Sequence, residues 1–142
     1  MSPASRVSQS LLDAGVTFEE IGPREGRELL RRWRETYASE VHHRMGAWTH
    51  AGYDWHAFSW GFYPHQRGDS ALAEYCGLPK KERAVYVTSG WTGTEFVFKC
   101  EPCRPVFRHQ NLDVLVFPDS LEWTAAFPHE VAMGPYLARS AA

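Results

Sequence analysis

Five short runs rich in β-branched and aromatic residues follow one another through the second half of the chain: RAVYVTSG (83–90), EFVFKC (95–100), PVFRH (105–109), DVLVFP (113–118) and LEWTAAFP (121–128). Each has strand length, and turn residues separate them. The succession predicts an antiparallel meander. PDS (118–120) is a hairpin-sized connection, and the glycines of GWTG (90–93) tolerate the backbone angles that a turn demands.

A sheet of this kind needs something to cover it, and the first half supplies a candidate. In PREGRELLRRWRETYASEV (23–41), Leu30, Trp33, Tyr37 and Val41 recur every three or four residues, while Arg24, Arg27, Arg31 and Arg34 fall elsewhere on the helical wheel. Pro23 suits a first turn, and Glu28 with Arg32 and Arg31 with Glu35 are helix-spaced opposite charges. The fold class predicted is therefore α+β, a single domain of residues 1–142 in which the antiparallel sheet packs against one long amphipathic helix. Its core should draw on Trp33, Tyr37, Phe58, Val85, Val87, Phe96, Phe98, Leu115, Phe117 and Trp123.

The remaining segments carry weaker patterns. The first dozen residues are small and polar and are expected to be flexible. VTFEEIG (16–22) suggests a short strand. DWHAFSW (54–60) is apolar on both alternating faces, as a strand covered on both sides would be. SALAEYCGL (70–78) predicts a short helix with Ser70 as cap and Gly77 as stop, and the last fourteen residues give no assignment.

Composition removes whole classes of function. A formal charge of −2 offers no basic face for general nucleic-acid binding. No run approaches the roughly 18 apolar residues of a membrane span, and MSPASRVSQS lacks the apolar core of a signal peptide. Three cysteines, an odd number in a chain long enough to fold without staples, fit a reducing compartment, so a cytoplasmic protein is expected. Six Trp, six Tyr and eight Phe can build a rigid core or supply anchors at a binding surface.

The sharpest local motif is Cys100-Glu-Pro-Cys103. Two thiolates at this spacing can share a zinc ion, but a structural site needs four ligands, and Cys76 and His109 complete it only if the fold brings them near. The same spacing suits a redox dithiol, although that motif normally opens a helix in a βαβ unit. Two reduced thiols beside a hairpin turn are the reading expected of this motif, and no metal or other cofactor is expected. Acid–base chemistry has its candidates in His56, His129 and Glu130. Adjacent strand side chains diverge, so His129 and Glu130 cooperate only if the chain turns at Pro128; otherwise the histidine is satisfied by a backbone carbonyl. Ser89 in TSGWTG lacks the G-x-S-x-G elbow of a serine hydrolase.

The order ELLRRWRETYAS, WHAFSW, a short helix, AVYVTSG and DVLVFPDSLEWTAAFPHEVAMGPYL resembles a small family of uncharacterised bacterial proteins, the domain of unknown function numbered 4275. The likeness spans roughly residues 25–137, with WHAFS, LEWTAAFPHE and GPY its most specific pieces, and GWTGTEFVFKCEPC departs from it. It implies an immunity-type protein that binds a cognate bacterial toxin and occludes its active site. Glu101 and Arg104, in the departing turn, are then the expected partner contacts, since turn tips vary without disturbing a core. A small enzyme using His56 or His129 with Glu130, and a zinc-stabilised regulatory module, are the competing readings.

Overall fold

The computed structural model describes residues 3–40, 56–59, 61–80, 85–89, 96–107, 113–129 and 134–140, with backbone alone for Pro3, His56 and 85–89. In chain order the elements are α1 (Pro3–Asp13), β1 (Phe18–Glu20), α2 (Pro23–Tyr37), a four-residue helix α3 (His56–Ser59), β2 (Gln66–Arg67), α4 (Asp69–Gly77), β3 (Val85–Ser89), β4 (Phe96–Cys100), β5 (Val114–Pro118), β6 (Trp123–Phe127) and β7 (Tyr136–Arg139). The strands form one sheet in the order β1-β4-β3-β5-β6-β7-β2, and every neighbouring pair is antiparallel. The α+β class with an antiparallel sheet is thus the fold of this chain.

The covering layer differs from one long helix, because both faces of the sheet are buried. Along β5, Leu115 and Phe117 join the cluster beneath α2, while Val114 and Val116 join a second cluster with Val7 and Leu11 of α1 and Ala71 and Tyr75 of α4. The same alternation runs through β7, where Tyr136 and Ala138 face one cluster and Leu137 the other. Helices on both sides explain why β5 and β6 are buried at every position.

On the first face, α2 presents Leu29, Leu30, Trp33 and Tyr37 to the sheet. Gly26 lets its first turn lie close: a Cβ there would stand 3.2 Å from Cγ2 of Val97. Further along, Arg32 donates to the Asp119 carbonyl and Tyr37 Oη donates to the Leu121 carbonyl at 2.7 Å, so α2 also grips the β5–β6 turn. That turn closes through Leu121 N–H to the Pro118 carbonyl. Leu121 itself has φ of 58°, a left-handed conformation that its buried side chain and the Tyr37 bond hold in place.

Several expectations are corrected on the second face and around it. Residues 3–13 form α1, anchored by Val7 and Leu11 one helical turn apart, and Ser8 and Ser10 bond back to the carbonyls of Ser5 and Arg6. Two buried anchors in a serine-rich stretch leave little periodicity to read. Residues 56–59 are helical rather than a strand: Ala57 and Phe58, adjacent in sequence, are both fully buried in the α2 cluster, which a strand's alternation would not allow. The cap of α4 is Gly68, at φ of 73°, and Ser70 lies inside the helix with its hydroxyl on the Arg67 carbonyl.

The meander is also broken. Because β3 lies between β4 and β5, the chain leaves β4 and crosses the α1–α4 face before adding β5 on the far side of β3. Phe107 is buried in that crossing. Residues 105–107, expected as a strand, are irregular; Pro105 has no N–H for a ladder, and its carbonyl accepts the Tyr75 hydroxyl instead. Of the expected core, Trp33, Tyr37, Phe58, Phe98, Leu115, Phe117 and Trp123 are buried and Phe96 is half-buried, while the side chains of Val85 and Val87 lie outside those described.

Two buried phenols make the alkaline limb of stability readable. Burial pushes Tyr37 well above its ordinary value near 10, with Tyr63 adding to the shift and contacts to Ser140 opposing it. Burial does the same to Tyr75, reinforced by Cys103. A raised folded value means that each contribution is complete below pH 10 and is lost as pH climbs toward that value, since the unfolded chain releases a proton the folded chain keeps. Each phenol should steepen the loss by about 1.4 kcal/mol per pH unit. Urea titrations of Tyr37→Phe should show a shallower decline above pH 10 than the parent; an equal slope would mean that Tyr37 ionises freely in the folded protein.

Candidate functional site

The bend that follows β4 collects most of the chemistry. Cys100 ends the strand, 2% exposed, and Glu101 and Pro102 turn the chain back. The Glu101 N–H donates to the Thr17 carbonyl at 3.0 Å, continuing the β1–β4 ladder one residue beyond the strands, so the exposed Glu101 carboxylate stands on a fixed backbone.

Arg104 holds the other side of the bend. Its guanidinium lies 4.9 Å from the ring centre of Trp123, and it donates to the carbonyls of Cys103 and Pro79. Expected at an exposed tip, Arg104 is instead half-buried: cation–π attraction and two carbonyl acceptors draw it onto the protein. Glu101 and Arg104 therefore do different work, one displayed and one fastening.

Between them the two thiols meet. Cys100 donates its S–H to Cys103, which raises Cys100 well above the ordinary thiol range and lowers Cys103; burial adds to the first shift and opposes the second. Arg104 and Lys80 lower Cys103 further, and Glu101 works against them. Cys76 is exposed on α4. Among the described residues no group of three His, Cys, Asp or Glu side chains converges to hold a metal ion, and His109 lies outside them.

His129 finds a partner that its neighbours in sequence did not suggest. Asp113 Oδ1 accepts both the His129 backbone N–H at 2.7 Å and Nδ1–H at 2.8 Å, since an ionised carboxylate can only accept. The Asp113 side chain is 7% exposed and the His129 side chain 16%. The β5–β6 register sets this up: Val114 pairs with Phe127, which brings the residue before one level with the residues after the other. An Asp–His pair of this geometry can orient an imidazole as a base, and it equally fastens the loop after β6 to the start of β5. A cavity of about 200 Å³ lined by Asp69, Leu72, Phe107, Phe127, Pro128, Gly134 and Pro135 includes the residue before His129 but neither member of the pair. His56 contributes only backbone to the described structure, and Glu130 lies outside it.

No family model, curated protein or solved structure matches this chain. The pieces behind the family likeness do meet in space, and packing accounts for them. Phe58 of WHAFS stacks 5.9 Å from Tyr136 of GPY, and a Cβ on Gly134 would stand 2.6 Å from Cδ of Pro128 in LEWTAAFPHE. Phe58 and Tyr136 are core residues, and Pro128 and Gly134 pack against each other at the two ends of the β6–β7 connection. The displayed chemistry lies in the CEPC bend.

Proposed function

We propose that this chain is a cytoplasmic immunity-type protein that binds a cognate bacterial toxin and occludes its active site. The observation that carries this reading is the presentation of Glu101: an exposed carboxylate on a bend tied to β1 on one side and stapled through Arg104 to Trp123 on the other. A pre-fixed charge loses little freedom on binding, which favours tight inhibition. Val106, a few residues on, is an exposed apolar side chain beside that carboxylate in sequence. The family likeness supplies the kind of partner.

A toxic domain encoded beside this gene should arrest a bacterial host, coexpression of this chain should restore growth, and the two proteins should elute as an equimolar complex. Growth restored with no complex would overturn occlusion. The Asp113–His129 pair favours a second reading, acid–base catalysis. Under occlusion, His56→Gln, His129→Gln and Glu130→Gln should all still protect. Loss of protection in one of them, with the complex and its thermal stability intact, would make protection catalytic.

A further inference from the structure

We infer that Cys100 and Cys103 form a thiol–disulfide exchange site for small-molecule disulfides, with Cys103 the attacking sulfur and Cys100 the resolving one. Three observations on the geometry carry this. Cys100 and Cys103 flank a two-residue bend and both pack on the α1–α4 cluster, so closing the S–S bond needs no approach of distant segments. Their exposure is graded: Cys100 is buried beneath the α1–α4 cluster, whereas Cys103 is half-buried at its margin, packed against the cluster from outside. An external disulfide thus reaches Cys103 first. Finally, the guanidinium of Arg104 is immobilised beside Cys103 by Trp123 and two carbonyls.

The electrostatics agree with this division of labour. The groups that act on Cys103 are the Cys100 thiol, Arg104 and Lys80, which favour its thiolate, and Glu101, which opposes it; the Tyr75 hydroxyl also lies within electrostatic range. The thiolate is the nucleophile, so Cys103 is primed and Cys100 is held as the thiol until it is needed.

In the first step the Cys103 thiolate attacks one sulfur of a small disulfide such as oxidised glutathione. A Cys103–glutathione bond forms, the original S–S bond breaks, and one glutathione thiolate leaves and takes up a proton from solvent. Cys100 then releases its proton and attacks Cys103 Sγ, expelling the second glutathione. Two protein thiols are oxidised to one disulfide, and one small disulfide is reduced to two thiols. No toxin is involved, so this site stands or falls apart from the inhibitory reading.

The test uses the full chain carrying Cys76→Ser, which removes the exposed third thiol. Oxidised glutathione should convert it to a species lighter by two hydrogens, with Cys100 and Cys103 linked in peptide maps. Adding Cys100→Ser should instead trap a persistent glutathione adduct on Cys103. Adding Cys103→Ser should slow the reaction about ten-fold or more, because only the buried sulfur remains. The rate of Cys103 alkylation by iodoacetamide should rise at higher pH in Cys100→Ala, which has no side-chain donor, than with Cys100 present, a change a purely packing role would not produce. Thermal unfolding of each variant establishes that it is folded. A parent protein that keeps the glutathione adduct unresolved, or alkylation profiles that coincide, would overturn the assignment.

Discussion

Trp33→Ala should destabilise the protein by about 3–5 kcal/mol, a large part of the roughly 5–15 kcal/mol that holds a domain of this size together. The indole is fully buried between α2 and the sheet. It meets Phe58 edge-on at 6.1 Å and Tyr37 at 5.5 Å, and its Nε1–H donates to Thr124 Oγ1 at 2.8 Å across 91 residues of sequence. Alanine leaves a cavity and removes a ring from an aromatic group that also includes Tyr63 and Tyr136.

The hydrogen bond can be separated from the packing. Trp33→Phe keeps most of the apolar contact but deprives Thr124 Oγ1 of its donor, while Thr124 still donates to the Val116 carbonyl at 3.2 Å. That should cost about 1–3 kcal/mol. Pairing it with Thr124→Val removes both partners and should recover part of the loss, because no buried acceptor is then left facing a ring. Urea unfolding of Trp33→Phe, Thr124→Val and the double variant against the parent gives the coupling directly. A Trp33→Ala protein less than about 1 kcal/mol weaker than the parent would mean that α2 does not pack on the sheet through this residue.

Trp33 was legible in the sequence because a helix with a strong apolar stripe repeats its signal every turn. The strands of the second half were legible for the same reason, since their β-branched and aromatic residues recur in short blocks. What escaped was information carried by few residues or by order in space. α1 is held by two anchors among serines. Ala57 and Phe58 read as strand because apolar residues on both faces of an alternating pattern are also what a short buried helix offers. The placement of β3 between β4 and β5 depends on which strand finds which neighbour, and the composition of the runs does not contain it.

The site divided along similar lines. The Cys100–Cys103 spacing is local and was visible at once. The pairing of His129 with Asp113 spans 16 residues and depends on hairpin register, whereas sequence adjacency points only to Glu130. A place in a turn predicts an exposed contact for Arg104. Only Trp123, brought beneath it by β6, turns it into a fastener.

That distinction sets the expected outcome of Glu101→Lys. With the toxin as partner, the reversal should weaken binding by at least about 30-fold, the roughly 2 kcal/mol that marks a hot spot, and should abolish protection. Stability should change by no more than about 0.5 kcal/mol, because the side chain is exposed and the anchoring bond to Thr17 comes from the Glu101 backbone. Arg104→Ala should behave in the opposite order. Losing the guanidinium from Trp123 and from the carbonyls of Cys103 and Pro79 should lower stability by about 1–2 kcal/mol and weaken binding only through a looser bend. Salt separates the two effects: the Glu101→Lys defect should lessen as ionic strength rises, since a screened repulsion is a smaller one, whereas the Arg104→Ala defect should persist. Calorimetric titration of both variants at low and high salt reads all of this. Full affinity in Glu101→Lys would remove the CEPC bend from the interface and leave the inhibitory reading without its contact.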